Sequence, residues 1–259
     1  MSNETILLQR EGAIARLVLN RPQQLNAIDV AMAEAFAAAC ATLEADRSVR
    51  VVVLSGAGRC FGAGGDLASF RSEPQATALR VIEPMHQGLR RLAGMDAPVI
   101  ASLHGSVAGG SLSLVLGCDL AIAADDAKFN LAYVNVAANC DVGGSWHLPR
   151  LVGLRRAMQI ALLGETFLAP EALSMGLVNR VVPAAELAAT TQALAERLAQ
   201  GPTLALGRMK RLLRASFDNE LSTQLDLERD AFHASAGTQD FAEALNAFFD
   251  RRKPAFQGR

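Results

Sequence analysis

Gly58-Arg59-Cys60-Phe61-Gly62-Ala63-Gly64-Gly65-Asp66-Leu67 and His104-Gly105-Ser106-Val107-Ala108-Gly109-Gly110-Ser111-Leu112 are the stretches on which the reading of this chain turns. Each follows an apolar, β-branched run, Val51-Val52-Val53-Leu54 and Pro98-Val99-Ile100-Ala101. A run of this kind closed by a glycine cluster reads as a buried strand entering a turn. Two such turns can aim two backbone N–H groups at one point, which would hold an oxyanion without any charged side chain. The second turn leads into Ser111-Leu112-Ser113-Leu114-Val115-Leu116, the start of a buried helix. Its first amides lack intrahelical partners and lie at the positive end of the helix dipole. Other glycine signatures fail. Counted from Gly56, the third glycine of GxGxxG falls on Phe61; no GxxxxGK[ST] exists; and Gly109 to Ser113 reads GGSLS rather than GxSxG.

Upstream of the first turn, Thr5–Leu8 and Ala13–Leu19 flank Glu11-Gly12 and predict a hairpin. Arg21-Pro22 ends its second strand, and Asp29 is placed to cap an alanine-rich helix reaching about Asp46. Strand, turn and helix units then alternate through residue 125, as parallel strands with crossover helices require. The segment after the first turn, carrying Glu83 and His86, reads as a flexible stretch. Between the second turn and Val182 we expect a loop, a helix starting at Gly153, another with Pro170 in its first turn, and a short strand ending at Val182. From about Pro183 the chain reads as helical, with Gly201-Pro202 between two helices. Phe241, Leu245, Phe248 and Phe249 recur at helical spacing near the end.

The chain has 259 residues, about half of them hydrophobic, and could form one large domain or one domain with an appendage. A formal net charge of −1 argues against a nucleic-acid binder that uses a broad basic face. The four cysteines, Cys40, Cys60, Cys118 and Cys140, lack zinc or disulfide spacing, so a reducing cytoplasm is the expectation and no metal is called for. Met1 to Arg10 lacks the basic-then-apolar layout of a signal peptide. No apolar run approaches the roughly 18 residues of a membrane span.

The order and wording of the two turns resemble the crotonase (enoyl-CoA hydratase/isomerase) superfamily. So do Arg21-Pro22, Leu25-Asn26-Ala27, Gly117-Cys118-Asp119, Leu148-Pro149-Arg150-Leu151-Val152-Gly153 and Arg252-Lys253-Pro254-Ala255-Phe256. The resemblance implies an α/β fold of the ClpP/crotonase-like type. It would be a spiral of ββα units over residues 1–195, with a C-terminal helical trimerisation region over 196–259. It also implies an acyl-CoA thioester as substrate, with coenzyme A entering only as part of that substrate. The partner expected is the chain itself, as a homotrimer or a dimer of trimers, with no nucleic acid and no membrane. The amides of Ala63 and Gly110 are implied as the oxyanion donors. Leu25, Ala27, Ala63, Gly65, Asp66 and Leu67 are implied to lie along the coenzyme A, and Phe232 and Arg251 of a neighbouring subunit to reach it.

Hydratases of this family set two glutamates over the substrate, and the matching positions here are Ser113 and Tyr133. Hydration needs one group to activate water and another to protonate the α carbon. The carboxylate left in the implied region is Asp141. Its segment, Cys140-Asp141-Val142-Gly143-Gly144, resembles the proline-aspartate-glycine-glycine turn of the family's isomerases, nearest to those of phenylacetate degradation, with Cys140 in place of the proline. Asp141 is therefore the expected proton shuttle, and a cap on the helix near Gly143 is the alternative. Glu83 is a second candidate acid. Trp146 and His147 are candidate pocket residues, with a place on a helix face the other reading for His147. His104 is expected to pack or to make a turn hydrogen bond, and Asp66 to anchor its turn. The activities that follow are isomerisation of an enoyl-CoA, hydration by another base, or binding of acyl-CoA without turnover.

Overall fold

The computed structural model describes residues 4–259; Met1 to Asn3, at the head of the polar start, lie outside them. Strands β1 (Ile6–Glu11) and β2 (Ile14–Leu19) form the expected hairpin, with Gly12 at φ +59 supplying the left-handed turn. Helix α1 (Val30–Ala45) starts where Asp29 Oδ1 accepts the Met32 N–H at 2.8 Å. Then follow β3 (Val51–Gly56), α2 (Pro74–Gly94), β4 (Val99–Leu103), β5 (Ser106–Ala108), α3 (Gly109–Leu116), β6 (Leu120–Ala124) and β7 (Lys128–Asn130). The chain continues through α4 (Gly144–Leu163), β8 (Phe167–Leu168), α5 (Ala169–Ser174), β9 (Arg180–Val182), α6 (Leu187–Ala199), α7 (Thr203–Ala215), α8 (Leu221–Ala236) and α9 (Gln239–Phe249).

Six strands make one sheet in the order β1-β2-β3-β4-β6-β9, antiparallel between β1 and β2 and parallel elsewhere. A smaller sheet holds β5-β7-β8. The central strands are apolar on both faces because helices cover both sides. Leu17, Leu54 and Ala101 face a core shared with Phe36, Phe61, Phe129 and Leu103. Val51, Val53 and Ile100 face α6 through Ala195.

One expectation is corrected. The stretch carrying Glu83 and His86 is not flexible; it belongs to the 21-residue helix α2. Thr77, Val81, Met85, Gly88 and Leu92 bury one stripe of it against α1. Gly88 permits that approach, since an added Cβ would stand 2.4 Å from the Phe36 ring. A helix starts at Gly153 as expected: it is the second half of α4, and Gly153, at φ +74 and ψ 156, is the joint between it and the half that starts at Gly144.

Candidate functional site

The two glycine turns are laced together. Phe61 N–H donates to the His104 carbonyl at 2.9 Å, Gly62 N–H to Ser106 at 3.0 Å, and Ala108 N–H back to Gly62 at 2.9 Å. Gly105 sits at φ +56 with no room for a side chain, because a Cβ there would fall 2.3 Å from the Arg59 carbonyl. His104 makes the expected turn hydrogen bond, Nε2 to the Gly58 carbonyl, at 3.0 Å. Beneath the first turn, Asn26 is fully buried and donates to the carbonyls of Ala57 (2.8 Å) and Cys60 (2.9 Å), while its Oδ1 accepts the Arg21 N–H at 2.9 Å. Arg21 in turn pairs with Asp29 at 3.1 Å and Asp66 at 3.0 Å. Asp66 also accepts the Ala68 N–H at 3.2 Å, so it anchors the turn, as expected. The structural part played by Asn26 went unread in the sequence. Its signal is a side chain that can both donate and accept beside a glycine-rich turn whose carbonyls need donors.

This lacing decides which amide is left over. The Ala63 N–H donates to the Leu25 carbonyl at 3.0 Å, so the expected oxyanion donor is already engaged. Gly64 N–H donates to Ser111 Oγ at 3.2 Å and Asp66 N–H to the Ile28 carbonyl at 2.9 Å. Between Phe61 and Asp66, among the described residues, Gly65 alone keeps an N–H without a protein acceptor. On the other turn, Gly110 is the second residue of α3, and its N–H likewise has no intrahelical partner. Gly64 seats one turn on the other. At φ +93, its missing Cβ would stand 3.0 Å from the Ala108 carbonyl and 3.3 Å from the Gly110 nitrogen. The two amides these turns leave without a protein acceptor are therefore those of Gly65 and Gly110, while that of Ala63 is bonded to Leu25.

Both glycines line a cavity of about 470 Å³. Its remaining wall is mostly apolar: Ile28, Leu67 and Phe70 beside the first turn, Ala78, Val81, Ile82 and Met85 from α2, and Val136 from the loop before α4. The expected residues Ala63, Gly65, Leu67, Gly110 and Asp141 are brought together here. Leu25, Ala27 and Asp66 do not line it; the carbonyls of Leu25 and Ala27 accept bonds from Ala63 and Arg21 instead. Phe232, on α8, and Arg251, beyond α9, are exposed and do not line it either. Trp146 and His147 are also outside. His147 packs against Gly117 and Gly143, where burial and the nearby guanidinium groups of Arg214 and Arg150 push its imidazole down to about 4. Glu83 is an exposed residue of α2, 3.7 Å from Arg90, and does not reach the cavity.

Asp141 is the carboxylate of this cavity. Its side chain caps no helix: Gly143, at φ +75, holds the N-cap position of α4. Asp141 Oδ1 accepts the Tyr133 hydroxyl, and Tyr133 Oη is 3.0 Å from Ser113 Oγ. With its own hydrogen committed to Asp141, Tyr133 takes the Ser113 hydroxyl as a donor. Ser113 lies three residues beyond Gly110 on the same face of α3. An ideal Cβ on Gly110 would stand 3.6 Å from both Asp141 Oδ1 and Tyr133 Oη, so donor amide, tyrosine and carboxylate meet at one end of the cavity. Burial raises the Asp141 carboxyl above the usual aspartate value, while the Tyr133 hydrogen bond partly offsets the rise. Burial and the adjacent Asp141 charge push the Tyr133 phenol well above its usual value. The following residue, Val142, is buried at φ +48, a conformation that costs a β-branched residue about 1–3 kcal/mol. Among the described residues, no group of three His, Cys, Asp or Glu side chains is placed to hold a metal, and no helix is long and apolar enough to cross a membrane.

Residues 9–259 match the family model for enoyl-CoA hydratase/isomerase. The chain is 39% identical to 1,2-epoxyphenylacetyl-CoA isomerase of Escherichia coli (strain K12), the alignment covering 99% of each. It is 31% identical to short-chain-enoyl-CoA hydratase of Clostridium acetobutylicum, over 98% of this chain and 97% of that protein. Its fold superposes on the crystal structure of enoyl-CoA hydratase from Bacillus anthracis with a TM-score of 0.93 at 30% identity, covering 98% of this chain and 100% of that one. The interlocked turns, the crotonase fold and these matches along nearly the whole chain lead to one conclusion: the protein belongs to the enoyl-CoA hydratase/isomerase family.

Proposed function

We propose that this enzyme moves the double bond of an enoyl-CoA, with the N–H groups of Gly65 and Gly110 holding the thioester oxygen and Asp141 carrying the proton. The observation behind the proposal is that Asp141 is the one carboxylate among the residues lining the cavity that also holds both free amides. Removal of the C2 proton of a 3-enoyl-CoA delocalises charge from C4 to the thioester oxygen. Two preorganised donors stabilise that dienolate. Asp141 Oδ1 is engaged by Tyr133, which leaves Oδ2 as the basic lone pair. The C2–H electron pair enters the dienolate, the proton goes to Oδ2, and Oδ2 returns it to C4. The product is the conjugated 2-enoyl-CoA, and the carboxylate is regenerated. The raised pKa of Asp141 makes it a stronger base than a solvated aspartate.

The apolar wall fits an apolar acyl group, and coenzyme A enters only as part of the substrate. The name of the Escherichia coli relative supports an isomerase. Hydration is the second reading, supported by the name of the Clostridium relative, but it needs a second acid–base group and the cavity offers no second carboxylate. Binding without turnover gives no reason for two turns that each leave an N–H donor without an acceptor. We further propose that copies of the chain associate through the exposed apolar side chains of α8 and α9, among them Leu221, Phe232 and Phe248. The deciding experiment supplies 3-enoyl-CoA and 2-enoyl-CoA separately and follows conjugated thioester absorbance and 3-hydroxyacyl-CoA by chromatography. Conjugation of the 3-enoyl substrate without hydroxyacyl product is expected; hydroxyacyl-CoA as the main product from 2-enoyl-CoA would replace isomerase by hydratase.

A further inference from the structure

The Asp141–Val142 peptide is held from outside its own loop. The Val142 N–H donates to His86 Nε2 at 3.1 Å. On the other side of the same peptide, the Asp141 carbonyl accepts the Gly144 N–H at 2.9 Å. Fixing both polar groups of a planar peptide fixes its orientation, and with it the direction in which Asp141 projects its side chain. The restraint falls where the backbone resists. Val142 is β-branched and sits at φ +48, and a residue in that region persists only when its surroundings over-determine it.

His86 also ties this peptide to the acyl wall. It lies on α2 directly after Met85 and one turn after Ile82, both of which line the cavity, while His86 itself does not. Helix α2 is fixed along its buried stripe by α1. A group packed on Ile82 and Met85 therefore bears on the helix that sets the Asp141 peptide.

We propose that His86 is a positioning residue for Asp141: its neutral imidazole, protonated on Nδ1, accepts the Val142 N–H at Nε2, holds the strained Asp141–Val142 peptide and aligns the carboxylate with the substrate lying on α2. The Nδ1–H tautomer follows from the geometry, because a ring nitrogen that accepts an N–H cannot carry a proton. An imidazolium would present N–H to N–H and release the peptide. The activity part of this proposal rests on the isomerase reading above.

The test compares His86→Leu, which removes the acceptor, with His86→Gln, whose Oε1 can take the place of Nε2. His86→Leu is expected to lower kcat for 3-enoyl-CoA about 10- to 100-fold with KM unchanged, the size expected when a reacting group is misplaced by about an ångström. His86→Gln is expected to restore most of that loss. In the wild-type protein, nitrogen-15 NMR of the histidine rings is expected to show an unprotonated Nε2 at His86. A folded His86→Leu variant with wild-type kcat, equal losses in both variants, or a protonated Nε2 at neutral pH would each overturn the assignment. If the wild type turns over no 3-enoyl-CoA, the isomerase reading fails by itself. The positioning contact is then decided by amide exchange at Val142: slow in wild type and His86→Gln but faster in His86→Leu supports it, and equal rates in all three reject it.

Discussion

The Tyr133 hydroxyl donates to Oδ1 of Asp141 while Ser113 Oγ stands 3.0 Å behind Tyr133 Oη, so three residues from three separate segments form one chain of hydrogen bonds ending on the carboxylate. This chain orients the carboxylate and limits how far burial raises its pKa. Tyr133→Phe removes a donor that favours the charged form. The Asp141 pKa then rises further, and the fraction present as base at a given acidic pH falls. The acidic limb of kcat/KM is expected to move to higher pH, with the plateau at alkaline pH less affected. An unmoved limb would show that Tyr133 does not set the base.

Asp141→Asn keeps the shape and the acceptor for Tyr133 but cannot take a proton. Isomerisation is expected to fall by at least about 100-fold. Stability is expected to move the other way. Because the folded-state pKa of Asp141 is raised, the folded protein holds a proton that the unfolded chain releases, and stability declines as pH rises from the unfolded value toward the folded one. At neutral pH the buried charge is a cost that asparagine removes. Thermal melts at pH 7 are expected to give Asp141→Asn a higher Tm than wild type.

Gly65 and Gly110 divide in what they tolerate. A Cβ on Gly65 meets nothing nearer than the Phe70 ring at 3.8 Å, so Gly65→Ala keeps both the fold and the N–H. Gly65→Pro removes the donor, and kcat is expected to drop about 100- to 1000-fold, the size of one oxyanion donor. Ala63 offers no such donor, because its N–H is committed to Leu25. Near wild-type turnover in a folded Gly65→Pro variant would return the donor role to another amide.

His147 carries an acid-stability signature away from the cavity. Its pKa falls from 6.5 to about 4 because the ring is buried beside Arg214 and Arg150. The unfolded chain therefore binds a proton that the folded protein refuses between these values, and stability is lost as pH falls from about 6.5 to about 4. His147→Gln is expected to flatten that part of a curve of urea midpoint against pH. An unchanged slope would assign the acid sensitivity to other groups.

Ala137 is an exposed non-glycine residue at φ +56, just after the turn that carries Tyr133. The left-handed conformation costs an L-residue about 1–2 kcal/mol, and glycine gives back part of that gain as extra freedom in the unfolded chain. Ala137→Gly is expected to stabilise by about 0.5–1 kcal/mol in chemical denaturation.

Local sequence was enough to place the first hairpin, β3, β4, both glycine turns and the buried start of α3, because apolar period, glycine and position after a strand act over a few residues, whereas Gly110 and Asp141 were singled out only by the resemblance to the family. The long helix α2 was missed even though Thr77, Val81, Met85 and Leu92 keep helical spacing, since Glu73-Pro74 and Pro84 argue locally for interruption. Which amide of the first turn stays free was beyond local reading. It depends on Leu25, Ile28 and Ser111 arriving to bind Ala63, Asp66 and Gly64, and the leftover donor at Gly65 exists only once that register is set. The surroundings of Asp141 were hidden for the same reason. Ser113, Tyr133 and His86 come from a buried helix, a short turn and the acyl wall, and each looks unremarkable in its own segment. Hydrogen bonds and burial join residues that are near in space, so chemistry made from such contacts belongs to the tertiary structure, while the turns and strands that bring them together are already written along the chain.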